Sequence, residues 1–355
     1  MKIGLIGLPS VGKTTFFRLL TQAGENLADR PRNQAGLGCA RVPDVRIDYL
    51  SGIYAPKKTT YATMEVTDIQ GILPGSGSYH FLEAVREADA LVHVVRVFKD
   101  DTIVHYQAGI HPLKDMETVN LELLFADLSV IENRMGRIEA GRKMTKDSAR
   151  ELEVLKKCRE CLEAGKPLNS LDLDETENIH IKSFDFLTER PMVLLMNLDE
   201  DQFSTGDYNG KRDILEYAAH RGIPLIEVCA KTELEISLLD VQDRTLFMEE
   251  MKITESGLDK LATTLYGLLG LISFITVGAD EVRAWPVRKG INAKAAGGKI
   301  HSDIDRGFIR AEVVKYADYI ALGGMQKVKE KGLFRLEGKD AVIEDGDIVN
   351  FRFNV

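Results

Sequence analysis

Cysteine is scarce. The 355 residues contain four, Cys39, Cys158, Cys161 and Cys229, too few and too scattered for a disulfide framework. Cys158-Arg159-Glu160-Cys161 has CxxC spacing, but no second CxxC or histidine pair accompanies it. The flanking pattern is helical, so two cysteines sharing a helix face are expected rather than a metal or redox site. Long apolar runs are also missing: none approaches the roughly 18 residues a membrane span needs. The strand-like run beginning at Lys2 leaves no stretch that reads as a secretory leader. A cytoplasmic protein without membrane association is expected. Positive charge is in deficit, with 46 Lys/Arg against 55 Asp/Glu and a net charge of −9. That balance argues against wholesale coating of nucleic acid, and no DNA partner is expected, although a local basic patch is not excluded. What remains is 44% hydrophobic and 28% charged, ordinary globular composition in a chain long enough for two or three domains.

The chain organises around Gly7-Leu8-Pro9-Ser10-Val11-Gly12-Lys13-Thr14, which fits the phosphate-loop pattern G-x-x-x-x-G-K-[ST]. The apolar run Lys2 to Ile6 before it suits a buried strand. Phe16, Phe17, Leu19 and Leu20 after it have helical spacing. The loop therefore joins a strand to a helix, the context that gives the motif its meaning. Gly7 and Gly12 let backbone N–H groups turn toward a polyphosphate at a helix N-terminus. Lys13 can reach the terminal phosphates, where it is a catalytic candidate, and Thr14 offers a hydroxyl to Mg²⁺. Pro9, Ser10, Val11, Gly12, Lys13, Thr14 and Thr15 are the expected contacts of this loop.

From Thr21 to Ile53 the sequence is polar and reads as loop, where a nucleotide switch would keep its effector segment. Tyr61 to Thr67 reads as a strand running into Asp68-Ile69-Gln70-Gly71, a D-x-x-G element. Asp68 would hold Mg²⁺ through water, and the Gly71 N–H would face the γ-phosphate. Ile72 then stands where Ras-like GTPases carry the glutamine that orients the attacking water, and isoleucine cannot do so. Ala90 to Val97 reads as a buried strand with His93 as a core histidine. The polar loop Phe98 to His105 leaves its C-terminal end, the side on which doubly wound sheets place ligands. Met192 to Met196 is another strand, ending in Asn197-Leu198-Asp199-Glu200. Guanine-specific proteins show N-K-x-D there; the longer Glu200 misplaces the carboxylate for a bidentate grip on guanine. Cys229-Ala230-Lys231, after a last strand at Pro224 to Cys229, resembles the S-A-K base-contacting loop.

Between these elements Leu121, Leu124, Leu128, Ile131, Met135 and Ile138 recur at spacings of three and four, a coiled-coil seam. Leu152, Leu155 and Leu162 repeat the pattern after a break at Gly141 to Asp147, so an antiparallel helical hairpin is expected. After a helix at Leu258 to Leu269, strand-like runs separated by Gly and Asp turns make a second, β-rich domain. It carries 14 Lys/Arg against 12 Asp/Glu from Leu271 to Val355. Arg288, Lys289, Lys294, Lys299, Arg306 and Arg310 concentrate the positive charge, suited either to solvation or to a phosphate backbone.

These stretches resemble the YchF-type ATPases, an Obg-related branch of translation-factor-like P-loop proteins. The resemblance rests on the phosphate loop, "VPDVR" at Val42 to Arg46, "HVVRVF" at His93 to Phe98, and "DMETVNLELLFADL" at Asp115 to Leu128. It continues through "AAGGKIHSDIDRGFIRAEV" and "LEGKDAVIEDGDIVNFRFNV" near the C-terminus. It implies an α/β fold: a doubly wound P-loop NTPase sheet with an inserted helical coiled-coil arm and a C-terminal TGS-like (β-grasp) domain. The boundaries are 1–114 and 191–270 for the nucleotide domain, 115–190 for the arm and 271–355 for the C-terminal domain. It further implies an ATPase switch that prefers ATP to GTP, uses Mg²⁺ held by Thr14 and Asp68, and binds the ribosome or ribosomal RNA. His105 would position the attacking water. Phe98, Asn197, Leu198, Glu200, Cys229 and Ala230 would surround the base, and Gly71 the terminal phosphate. A non-hydrolysing ATP-binding adaptor and a GTP-preferring GTPase are the alternatives. The first-switch region, "RPRNQAGLG", lacks an obvious threonine for Mg²⁺, the second switch is short, and Cys39 is not clearly in register with the family's redox-sensitive cysteine.

Overall fold

The computed structural model describes residues 1–21, 36–69, 71–75, 85–105, 109–141, 145–251, 253 and 255–354. Most of the segment expected to form the first switch, and most of the second, therefore lies outside the described residues. In chain order the elements begin β1 (Lys2–Ile6), α1 (Lys13–Thr21), β2 (Gly36–Arg41), α2 (Val45–Tyr54), β3 (Lys58–Thr60), β4 (Thr63–Asp68) and β5 (Ala90–Arg96). They continue α3 (Pro112–Glu139), α4 (Lys146–Glu163), α5 (Glu175–Ile181), β6 (Met192–Asn197), α6 (Glu200–Thr205), α7 (Lys211–Arg221), β7 (Leu225–Val228), α8 (Ala230–Leu238), α9 (Val241–Glu250) and α10 (Gly257–Leu268). The remainder are β8 (Leu271–Thr276), β9 (Glu281–Arg288), α11 (Ala293–Ile300), α12 (Ser302–Arg306), β10 (Phe308–Lys315), α13 (Tyr316–Leu322), α14 (Met325–Glu330), β11 (Arg335–Glu337) and β12 (Asp347–Phe353).

Two compact units result, one of Met1–Ala40 with Met64–Leu261 and one of Arg41–Thr63 with Ala262–Val355. The first contains a sheet in the order β2-β4-β1-β5-β6-β7. Its β4, β1, β5, β6 and β7 run parallel, so their C-terminal ends share one edge, and the loops leaving that edge build the site. Burial on both faces explains the continuous apolar strands: every residue of β5 is buried. His93 within it is 1% exposed, and burial, with Lys13 adding to it, pushes its imidazole down to about 3. It is a neutral core histidine, as the sequence suggested. One sheet face packs Val95, Leu194 and Met196 against Met116 of α3 and Ile214 and Ala218 of α7.

The helical hairpin is present as α3 and α4. Leu124, Ile131, Met135, Leu152, Leu155 and Leu162 fill its core, with Leu128 and Ile138 packed at the edge. Leu121 departs from the expected seam and is 49% exposed, because the seam begins only where α4 arrives to cover it. Cys158 is buried in this core with Cys161 packed beside it, and burial drives the Cys158 thiol up to about 12, which suits packing rather than redox chemistry. No metal-holding group of three His, Cys, Asp or Glu occurs among the described residues. Asp127 of α3 ties the hairpin down. Its fully buried carboxylate accepts from Leu187 N (3.0 Å), Thr188 N (2.8 Å) and Thr188 Oγ1 (2.9 Å), and Arg86 Nη1 lies 3.3 Å away.

The second unit holds a mixed sheet in the order β11-β10-β12-β8-β9-β3. The β8–β9 hairpin is antiparallel, β12 lies parallel to β8 and antiparallel to β10, and α11 lays Ala293 and Ala296 on Phe274 and Phe351. This is the mixed, helix-backed sheet the TGS-like expectation describes. Its edge strand β3, however, comes from inside the stretch 1–114, pairing with β9. The region read as loop from Thr21 to Ile53 contains two elements. In β2 buried and exposed positions alternate only partly, which hid it. The other is α2, started by Asp44, whose side chain accepts from Arg46 N at 3.0 Å, an N-cap that the surrounding polarity disguised. Arg46 also bonds Asp345 within the same unit.

Candidate functional site

At the C-terminal edge of the parallel sheet lies a cavity of 1040 Å³. Its lining includes Pro9, Ser10, Gly12, Lys13, Thr14 and Thr15 of the phosphate loop, Asp68 and Gly71 of D-x-x-G, and Phe98 after β5. Asn197, Leu198 and Glu200 after β6, and Cys229 and Ala230 after β7, complete the set. Five loops far apart in sequence therefore converge because five parallel strands end together. Of the residues picked from the sequence, two do not line it. Val11 is 1% exposed, packed under the loop with its carbonyl taken by Asn197 Nδ2 at 3.0 Å. His105 is turned to α3, where its Nε2 lies 3.0 Å from Asp115 Oδ2.

The loop's path explains its glycines. Gly12 has φ +103, and a Cβ there would come within 2.4 Å of Asn197 Nδ2. At Gly71 a Cβ would meet the Pro9 backbone nitrogen at 2.6 Å, so the two phosphate-proximal elements touch, pinned by Ile72 N donating to Gly7 O at 3.0 Å. Ile72 itself is 1% exposed: it is a core residue facing away from solvent. Asn197 fastens the other side, donating to Val11 O and accepting from Ala230 N at 3.3 Å. Its amide is a clamp between the phosphate loop and the start of α8.

Lys13 lies curled into the loop, its Nζ donating to Leu8 O (2.7 Å) and Gly7 O (3.1 Å). Burial pulls its ammonium down to about 8, against the pull of Asp68. Beside it Thr14 Oγ1 donates to Asp68 Oδ2 at 2.8 Å, while Asp68 Oδ1 is buried with no partner among the described residues. Burial raises the Asp68 carboxyl; Thr14, Lys13 and Arg18 oppose that rise. A hydroxyl and a carboxylate with a spare oxygen, on the phosphate side, form a hard-oxygen donor set of the kind Mg²⁺ takes while keeping waters and phosphate oxygens for the rest.

The loop after β5 is shaped by a residue that motif reading missed. Arg96 is 1% exposed and donates to the carbonyls of Phe98 (3.2 Å), Asp100 (2.9 Å) and Ile103 (3.0 Å), with its guanidinium 4.4 Å from the Phe98 ring. Those bonds hold the loop that presents Phe98, Lys99, Asp100 and Ile103 to the cavity. An arginine within the otherwise apolar strand "ALVHVVRV" was the available signal. Asp199 caps α6, accepting from Gln202 N at 2.9 Å and from Lys99 N at 3.1 Å, and so is committed to the backbone. Glu200 Oε1 lies 3.0 Å from Lys231 Nζ, so the stretch after β6 and the Cys229-Ala230-Lys231 stretch are joined by an ion pair.

The molecule can be set beside known proteins on this geometry. Residues 2–127 match a family model described as 50S ribosome-binding GTPase, and residues 271–354 match the YchF-GTPase_C model, described as a protein of unknown function. The chain is 43% identical to "Ribosome-binding ATPase YchF" of Bacillus subtilis, covering 99% of both chains. It is 40% identical to the protein of that name from Escherichia coli O157:H7, covering 100% of this chain and 99% of the relative. The solved structure of the Schizosaccharomyces pombe YchF GTPase superposes with a TM-score of 0.87 at 29% identity, covering 99% of this chain and 97% of that one. With full-length identity of this order and both end domains matched, the chain belongs to the YchF family.

Proposed function

We propose that this protein is a Mg²⁺-dependent P-loop ATPase that acts as a cytoplasmic nucleotide switch and engages the ribosome. The observation that carries this reading is the phosphate end of the cavity. There the Lys13 ammonium bonds two loop carbonyls that phosphate oxygens can replace, next to the Thr14–Asp68 pair. Thr14 and Asp68 would hold Mg²⁺, which when bound neutralises phosphate charge. The loop N–H groups and Lys13 cradle the phosphates, so catalysis is mainly positioning and charge stabilisation. Phe98 and Leu198 offer apolar walls to a base, with Cys229 and Ala230 at its rim. The Glu200–Lys231 pair draws one carboxylate oxygen away from the N1–H and 2-amino group of guanine, which supports ATP over GTP. The names of the bacterial relatives support both the ATPase reaction and the ribosomal partner. The fission-yeast relative's title says GTPase, which makes the nucleotide preference the first thing to measure.

The test is displacement of a fluorescent ATP analogue by ATP and by GTP, with and without Mg²⁺, followed by phosphate release and co-sedimentation with ribosomes. Tighter displacement by ATP and Mg²⁺-dependent phosphate release are expected. Displacement by neither nucleotide refutes the proposal.

Two observations favour a second reading, an ATP-binding adaptor that does not hydrolyse: His105 faces Asp115 rather than the cavity, and Ile72 is buried. Single-turnover hydrolysis by wild type and His105→Ala separates the two. A measurable rate lost in the variant supports the ATPase; equal, near-zero rates support the adaptor.

A further inference from the structure

Thr14 and Arg18 are four residues apart on α1 and so share a face. That face is turned to the cavity, where Arg18 joins Thr14, Thr15, Gly36 and Asp68 in the lining. Of the other cations in the lining, Lys13 is engaged on loop carbonyls and Lys231 on Glu200, while Lys99 stands on the loop after β5 beside Phe98. Among the described residues Arg18 has neither a hydrogen-bond nor an ion-pair partner, and its Nε is buried with its donor unmet. A buried unmet donor on a charged group is costly, and native structures keep such groups where something else satisfies them. A guanidinium presents a planar fork of donors that matches phosphate oxygens, and it stays protonated throughout. Its placement beside Thr14 and Asp68, rather than beside Glu200, puts it at the phosphate end.

We propose that Arg18 supplies a guanidinium from within the chain to the terminal phosphate of the bound nucleoside triphosphate. There it neutralises charge on that group during hydrolysis. In that step a bond forms between the water oxygen and the γ-phosphorus. The bond from the γ-phosphorus to the β–γ bridging oxygen breaks, with its electron pair leaving on the diphosphate. One water proton stays on the oxygen now bound to phosphorus, and the other ends on a released phosphate oxygen or in solvent. Arg18 donates hydrogen bonds and transfers no proton. The position was invisible in the motif because only Lys13 and Thr14 belong to the pattern; Arg18 enters the site through the helix repeat.

The inference rests on the nucleotide reading above, and its test is arranged to tell the two apart. Full-length wild type, Arg18→Met and Arg18→Lys are compared for ATP and ADP affinity, with Mg²⁺ and in EDTA, and for single-turnover phosphate release. Arg18→Met is expected to weaken ATP by about tenfold or more while leaving ADP within about twofold, and to slow release by about 10²-fold or more, toward the range known for supplied arginines. Arg18→Lys should recover part of the ATP affinity and little of the rate. An unchanged ATP-to-ADP affinity ratio in Arg18→Met overturns the inference. So does equal weakening of both nucleotides with a lowered unfolding midpoint, which marks a purely structural role. Wild type that binds ATP without hydrolysing it still decides the matter through the affinity ratio. Wild type that binds neither nucleotide removes the nucleotide reading, and this inference with it.

Discussion

Replacing Asn197 by alanine tests whether that residue is a ligand or a clamp. Its amide is 4% exposed, donates to Val11 O at 3.0 Å and accepts from Ala230 N at 3.3 Å. Truncation leaves a buried carbonyl and a buried N–H unpaired at about 1–3 kcal/mol each, with the longer bond at the low end, so a loss of about 2–4 kcal/mol is expected. Against the 5–15 kcal/mol typical of a folded domain, roughly, that is a large share. Asn197→Asp keeps the acceptor for Ala230 but sets a carboxylate oxygen against the Val11 carbonyl, and is expected to be at least as damaging. Urea titration followed by far-UV circular dichroism reads the effect on the nucleotide-binding unit. The fluorescence of the single tryptophan, Trp285, reports on the other unit. Nucleotide affinity should fall in parallel, by about tenfold or more, because the loop's donors are no longer held in place. Asn197→Ala unfolding within about 0.5 kcal/mol of wild type, far below the cost of two buried unpaired groups, refutes the clamp. Affinity lost at unchanged stability refutes it too, and makes Asn197 a direct ligand.

Asp127→Ala strips a buried carboxylate from two backbone N–H groups, a hydroxyl and Arg86, and should cost about 3–5 kcal/mol, checked by thermal or urea unfolding. His93 has its imidazole pushed down to about 3 by burial, so between pH 6.5 and pH 3 the unfolded chain binds the extra proton and stability falls as the pH falls. Between pH 7 and pH 5 wild type should lose about 2 kcal/mol more than His93→Leu in matched urea titrations; equal losses would place the acid sensitivity elsewhere. Lys231→Met frees Glu200 from a partly exposed ion pair worth about 0.2–1 kcal/mol, so the GTP-to-ATP affinity ratio should rise by up to about fivefold in displacement assays. An unmoved ratio would leave carboxylate length as the sole source of the preference.

The phosphate loop, the D-x-x-G element, the parallel strands and the hairpin were legible in the sequence because each depends on near neighbours. A loop of fixed spacing and helical or strand periodicity are local properties, and the strands after Lys2, Ala90 and Met192 lie where their apolar runs put them. What depends on chain returning from far away was not legible. The partly regular strand β2 and the short α2 were lost in a polar stretch, and β3 joined a sheet whose other strands begin at Leu271. Leu121 fitted the seam's spacing but not its cover. Roles within the site followed the same division. Residue type and motif order marked Lys13, Thr14 and Asp68, whose chemistry is intrinsic to their side chains. Only the tertiary structure decided that Asn197 spends its amide on Val11 and Ala230, that Glu200 faces Lys231, that His105 is turned to Asp115, and that Arg18 stands in the cavity with no hydrogen-bond or ion-pair partner among the described residues. Those are facts about which groups compete for each donor and acceptor, and that competition is set by neighbours in space.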